Sequence, residues 1–191
     1  MKPKWGGIIL LALWLAACSG SYDWHGSPYE PTKEAPEITL SDTSGQPFQL
    51  IDERGEIVLV YFGYTYCPDI CPATLAELAW VKEQLGPEAE NVQVVFISVD
   101  PARDTADRVD SYLAKFDPEF VGLVGSEQEL EKVTAEYGVL AQRDPGDDEN
   151  YTMTHTSRVF LIDAEGMLRS NYTFDEPPEA ILADVEYLLN R

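Results

Sequence analysis

Tyr61-Phe62-Gly63-Tyr64-Thr65-Tyr66-Cys67-Pro68-Asp69-Ile70-Cys71-Pro72 joins an apolar run, Ile57 to Phe62, to a helical pattern that begins at Pro72. The stretch reads as a buried strand, a sharp loop and a helix N-terminus, with two thiols held in the loop. Amides at a helix start, and the positive end of its dipole, lower the pKa of a nearby thiol. Thiolates attack disulfides and bind soft metals, so the spacing matters. Redox dithiols commonly have two intervening residues, whereas Cys67 and Cys71 have three. The wider loop, stiffened by Pro68 and Pro72, permits a disulfide and also lets two sulfurs converge on one ion. Asp69 between them disfavours thiolates but suits a bound cation. A stabilising disulfide is the plain alternative in an exported chain, although structural bridges rarely sit where a strand turns into a helix.

Outward from this stretch the chain alternates strands and helices. Ile38 to Leu40 and Phe48 to Ile51 flank Ser41-Asp42-Thr43-Ser44-Gly45, an N-terminal β-hairpin. The continuous apolar run Ile57 to Phe62 suits a strand covered on both faces, and Val92 to Val99 reads as a second buried strand. Pro72 opens a helix with Leu75, Leu78, Ala79 and Leu85 on one face, stopped at Gly86-Pro87. Thr105 caps a helix that turns Val109, Tyr112, Leu113 and Phe116 inward. Val121 to Val124 is a short strand. Ser126 with Glu129 forms a capping box for a helix ending at Gly138. Residues 140 to 156 read as a long polar loop, a candidate functional one. Ser157 to Ile162 and Met167 to Phe174 form a second hairpin, and Pro177-Pro178 starts a last helix. This order predicts an α/β fold, a thioredoxin-like sandwich with an N-terminal β-hairpin and insertions.

Length and charge narrow the function classes. At 191 residues one domain with its own core is expected. Asp and Glu number 34 against 13 Lys and Arg, a formal charge of −21. Such a surface repels nucleic acid and anionic lipid. Lys2 and Lys4 precede an apolar segment, Trp5 to Ala17, shorter than the roughly 20 residues of a spanning helix. Its end, Leu15-Ala16-Ala17-Cys18, resembles the lipobox of bacterial lipoproteins. Residues 1–17 then form a signal peptide and Cys18 is the lipidated N-terminus. Residues 18–36, rich in Gly, Ser and Pro, read as a flexible tether in which His25 is incidental. The functional domain is expected over 37–191.

The chain has two histidines, and His155 is the better placed. It stands before the strand Ser157 to Ile162, where this fold usually sets a cis-proline opposite the dithiol. Met153-Thr154-His155-Thr156-Ser157 contains no proline. Two thiolates and an imidazole make a three-coordinate soft site suited to Cu(I), with a nitrogen that also suits Cu(II). Zinc is the rival, but it usually takes four ligands, or three and water. Met153 is a further candidate thioether.

Tyr61 to Pro72, Ser98-Val99-Asp100-Pro101-Ala102-Arg103-Asp104-Thr105 and Thr154 to Asp163 together resemble the Sco/SenC proteins. The resemblance runs from about Ile38 to the C-terminus. It implies a membrane-anchored copper protein assisting assembly of the binuclear copper centre of cytochrome c oxidase. One copper per chain would be held by Cys67, Cys71 and His155. The partners would be the copper-site subunit of the oxidase and other copper chaperones. Asp100, Arg103 and Asp104 match a family motif near the site, and with Asp69 they are candidates for supporting it. Tyr66 departs from the pattern, since many relatives carry histidine beside the first cysteine. Two function classes follow: a metallochaperone, or a thiol-disulfide oxidoreductase that reduces the cysteines of the oxidase copper site. They diverge at His155, which metal ligation needs and disulfide exchange does not. The lipobox implies a bacterial envelope location, with the domain in the periplasm or extracytoplasmic space.

Overall fold

A computed structural model describes residues 22–146 and 150–191. The strands are β1 (Ser27–Glu34), β2 (Thr39–Asp42), β3 (Pro47–Gln49), β4 (Ile57–Gly63), β5 (Val92–Ser98), β6 (Val121–Val124), β7 (Ala141–Arg143), β8 (Met153–His155), β9 (Arg158–Ile162) and β10 (Met167–Thr173). The helices are α1 (Ile70–Leu85), α2 (Ala106–Leu113), α3 (Glu127–Tyr137) and α4 (Pro178–Leu189). Eight strands form one sheet in the order β1-β10-β9-β4-β5-β6-β2-β3, and β7 pairs with β8 apart from it. This is the thioredoxin-like α/β sandwich expected from the alternation of elements.

β4 is the hub, and every one of its residues is buried. A strand with β5 on one side, β9 on the other and cover on both faces has no solvated side for a polar residue to occupy, hence the unbroken Ile57-Val58-Leu59-Val60-Tyr61-Phe62. The β4–β5 pair is parallel, with Tyr61 opposite Phe96 and Gly63 opposite Ser98. The β4–β9 pair is antiparallel, with Tyr61 opposite Val159. These two registers bring three loops to the carboxyl end of β4: the Cys67 loop, the Asp100–Thr105 turn after β5, and the approach to β9 that carries His155.

Helix signals in the sequence operate as physical caps. Thr105 accepts from the Arg108 amide, and Ser126 and Glu129 form both halves of their capping box. Gly138 closes α3 at φ 66°, a left-handed conformation that a β-carbon would strain. α1 starts at Ile70, two positions before the expected Pro72, which puts Cys71 inside its first turn.

Three expectations need correction. Within the stretch read as a tether, Ser27–Glu34 is an edge strand paired antiparallel with β10. Its side chains stay largely exposed, so backbone pairing rather than an apolar face recruits it. His25 is not incidental: its Nδ1 lies 2.9 Å from Asp184 Oδ1, and its amide also donates to that carboxylate. Asp184 is fully buried and further accepts from Tyr22 Oη at 2.8 Å and Tyr172 Oη at 2.6 Å. The stacked pair Tyr22 and Tyr187 completes this attachment of the N-terminal segment to α4. The polar run 140–156 is likewise not a plain loop, because it contains the β7–β8 hairpin.

Candidate metal centre

Cys67 leaves the loop after β4, and its amide donates to Tyr64 O at 3.2 Å, a tight turn that brings its sulfur back over the start of α1. There the Cys71 amide donates to Cys67 Sγ at 3.4 Å. Cys71 is wholly buried and Cys67 half-buried. His155 ends β8, and its Nε2 lies 3.4 Å from Cys71 Sγ. On the far side of the ring Nδ1 faces Thr156 O at 3.3 Å. A proton on Nδ1 satisfies that carbonyl and leaves the Nε2 lone pair for the sulfurs or an ion. The donor atoms of Cys67, Cys71 and His155 all lie within 4.8 Å of one another.

The two thiols are electrostatically unequal. The Cys67 thiol is held down to about 3, chiefly by the hydrogen bond from Cys71 and then by His155 and the Cys71 and Asp69 amides, against the cost of burial. The Cys71 thiol is pushed up, because it shares its proton with Cys67 and lies in the apolar interior. In the metal-free pair, therefore, Cys67 is the thiolate and Cys71 keeps the proton. Such a thiolate, a second deprotonatable sulfur and a neutral imidazole suit a soft cation.

An aromatic wall closes the inner side. The His155 ring meets Tyr64 at 5.7 Å between centroids and Tyr61 at 6.4 Å, both edge-on. Gly63 lies against the centre, since a β-carbon there would fall 3.1 Å from Cys71 Sγ. The open side is a shallow cavity of about 310 Å³ lined by Cys67, Asp69, Met153 and His155 among others.

The other candidates occupy distinct positions. Asp69 is exposed on the rim and makes no side-chain cap for α1. Asp104 is buried and accepts from Thr65 Oγ1 at 2.6 Å, Thr65 N at 3.0 Å and Ser98 Oγ at 2.6 Å, which pins the cysteine loop to the end of β5. Burial pushes its carboxyl above the usual range, against the pull of those hydrogen bonds. Asp100 takes Arg103 Nε at 2.6 Å and the Tyr151 hydroxyl, while Arg103 Nη1 donates to Tyr151 O at 2.8 Å. That network ties the turn after β5 to the segment leading into β8. Thus Asp100, Arg103 and Asp104 hold the ligand-bearing segments, as buttresses. Met153, two residues before His155 on β8, lines the cavity. Cys18 lies outside the described residues.

Sequence reasoning missed Tyr64, Thr65 and Tyr151 as supports. Only Gly63, a glycine at the end of an otherwise bulky strand, carried a readable signal of close approach.

The SCO1/SenC family model matches residues 27–190. A SCO2-like protein of Rickettsia conorii is 39% identical over 156 residues, covering 81% of this chain and 75% of the relative. Among solved structures, ScoI of Bradyrhizobium japonicum with copper bound is 37% identical at a TM-score of 0.75, covering 82% of this chain and 99% of that one. Apo Sco1 of Thermus thermophilus is 33% identical at a TM-score of 0.80, covering 88% and 99% respectively.

Proposed function

The chain belongs to the SCO1/SenC family, and from that premise we propose that it is a copper metallochaperone serving the binuclear copper centre of cytochrome c oxidase. One solved relative, BsSco, is a member of the Sco family of cytochrome c oxidase assembly proteins, and the ScoI of Bradyrhizobium japonicum and yeast Sco1 hold copper. The observation that carries the reading is the convergence of Cys67 Sγ, Cys71 Sγ and a His155 ring nitrogen within 4.8 Å. Copper is the cargo, one ion per chain, and these three residues are its ligands. Two thiolates hold Cu(I) firmly, and the imidazole widens the site to Cu(II). Tyr61 and Tyr64 shield the inner side, while the half-exposed Cys67 faces the direction of transfer.

The proposed chain plan has a signal peptide over residues 1–17, a lipidated Cys18 and an extracytoplasmic domain. The attachment of Tyr22 to Gly26 to α4 and of β1 to the sheet supports a domain that includes residues 22–36. The lipid anchor would then hold the domain close to the bacterial envelope membrane. Mass spectrometry of the mature chain should find an acylated Cys18 at its N-terminus. A chain beginning elsewhere would remove the anchor.

One observation favours a second reading, a thiol-disulfide reductase. The accessible low-pKa Cys67 beside a buried Cys71 is the asymmetry of an attacking and a resolving thiol. Cys67 would attack the target disulfide and Cys71 would release it, leaving two thiols on the target and a Cys67–Cys71 disulfide here. His155→Ala separates the two when the Cys67 alkylation rate is measured beside it, because His155 also helps to hold that thiol down. The metallochaperone loses its thiolate-to-Cu(II) colour and oxidase maturation fails, although some Cu(I) binding through the sulfurs remains. Normal oxidase maturation in His155→Ala would transfer the assignment to the reductase.

A further inference from the structure

The large apolar side chains exposed among the described residues are Ile51, Tyr66, Ile70, Leu140 and Phe174; Ile70 lines the cavity at the candidate metal centre, and Tyr66 and Leu140 belong to segments that carry its ligands. Tyr66 precedes Cys67 and Ile70 precedes Cys71. Leu140 lies beside the His155 segment, where Thr156 N donates to Leu140 O at 2.9 Å. Singly scattered apolar residues need no explanation, but a rim of them around a site marks a contact surface.

On a chain of formal charge −21, exposed cations lie beside this rim. The Arg108 guanidinium lies 3.9 Å from the Tyr66 ring centroid and the Arg103 guanidinium 4.4 Å. Arg103 is committed to the buried Asp100. Arg108 is exposed, its Nε donates to the neutral Thr65 Oγ1 at 2.8 Å, and it enters no ion pair among the described residues. Beyond it, Arg108 and Lys115 line a groove of about 480 Å³ in which Asp107 is the acidic member. Asp69 is the negative spot on the cysteine side. An exposed tyrosine under an unneutralised arginine has the composition of an interface hot spot.

We propose that this rim is the docking surface for the copper-accepting protein, and that the acceptor presents carboxylates to Arg108 and Lys115 around an apolar contact covering Tyr66, Ile70 and Leu140. The inference rests on the metallochaperone reading and names the face and the partner chemistry it uses. Two alternatives fit less well. A second copy brings another chain of formal charge −21 to the contact, a net like-charge repulsion. An anionic bilayer is repelled by the rest of the chain. Docking at this face brings acceptor thiols to Cys67. Cu(I) then crosses by ligand exchange without changing oxidation state. Acceptor thiolates bond the ion as the Cys67 and Cys71 thiolates leave; the freed Cys71 takes up one proton that the acceptor thiols release, Cys67 stays a thiolate, and any second proton passes to solvent.

The test uses the copper-loaded domain and the metal-free soluble domain of the oxidase copper subunit. Association and copper transfer are followed at about 20 and 200 mM salt for the unmodified protein, Arg108→Glu and Lys115→Glu. Steering by opposite charge predicts on-rates falling about tenfold or more in Arg108→Glu. It also predicts a smaller loss in Lys115→Glu and a flatter salt dependence in both. Copper stoichiometry and thermal melting of each variant are measured alongside. Lys115→Glu decides the matter if Arg108→Glu fails to load. Equal association of all three proteins, without salt dependence, would overturn the docking surface while leaving the function. Self-association that Arg108→Glu abolishes would reassign the face to a second copy. Salt-sensitive binding to phosphatidylglycerol vesicles would reassign it to the membrane. Absence of copper from Cys67, Cys71 and His155 in the unmodified protein would overturn the function itself.

Discussion

Gly63→Ala places one methyl group between the core and the metal centre. Its β-carbon would sit 2.8 Å from Phe96 Cε2, 3.1 Å from Cys71 Sγ and 3.1 Å from Tyr61 Cε1. All three neighbours are buried, so no flexible side-chain end can swing away. Overpacking of this kind costs about 1–3 kcal/mol. In a domain of this size that lowers Tm by roughly 2–12 °C. Because one displaced atom is a sulfur of the proposed copper centre, Cu(I) affinity should also fall, by roughly tenfold if the centre loses about 1.4 kcal/mol. Gly122→Ala provides the comparison. Its β-carbon would lie 2.6 Å from Val109 Cγ1 and 2.9 Å from Leu113 Cδ1, under α2. It should melt earlier by a similar amount yet bind copper as the unmodified protein does. Thermal melts of the reduced metal-free proteins, with Cu(I) competition titrations at 20 °C, read both quantities. Unchanged copper affinity in Gly63→Ala, or equal loss of affinity in Gly122→Ala, would refute the placement of Gly63 against the centre.

Further outcomes follow from the same geometry. In the reduced metal-free protein, Cys67 should react with iodoacetamide at nearly constant rate from pH 8 to pH 5, since its thiolate persists down to about 3. A rate falling tenfold per pH unit across that range would mark an ordinary thiol. Copper loading and a Cys67–Cys71 disulfide should exclude each other, so the oxidised domain should bind little copper until a reductant is added. Equal tight binding by the disulfide form would put the site elsewhere. Asp184→Ala strips the shared acceptor from Tyr22, His25 and Tyr172 and should cost about 3 kcal/mol. It should also open the chain before Ser27 to proteases while copper binding persists. Unaltered proteolysis would show that other contacts hold the segment.

What could be read from the sequence was set by burial on two faces or by a cap. β4 announces itself because nothing polar fits where both faces are covered, β5 by its apolar centre Val94 to Ile97, and α3 because Ser126, Glu129 and Gly138 occupy fixed cap positions. The cysteine pair was legible from the same strand-to-helix switch, and His155 from its place before β9. β1 was not, because an edge strand held by backbone hydrogen bonds leaves its polar side chains in water and writes no alternation. The β7–β8 hairpin is three residues on each side and too short for any period to show. Asp184 resembles a solvated helix residue until tertiary packing brings Tyr22, His25 and Tyr172 to it. Likewise Arg108 reads as one surface charge on α2, and only the fold stacks it on Tyr66.

If Cys67, Cys71 and His155 together hold copper, X-ray absorption at the copper edge of the loaded domain should show two sulfur scatterers and one imidazole nitrogen around each copper, with the nitrogen lost in His155→Ala and one sulfur lost in Cys67→Ser. A shell of nitrogen and oxygen without sulfur, or a spectrum unchanged by both substitutions, would contradict that ligand set.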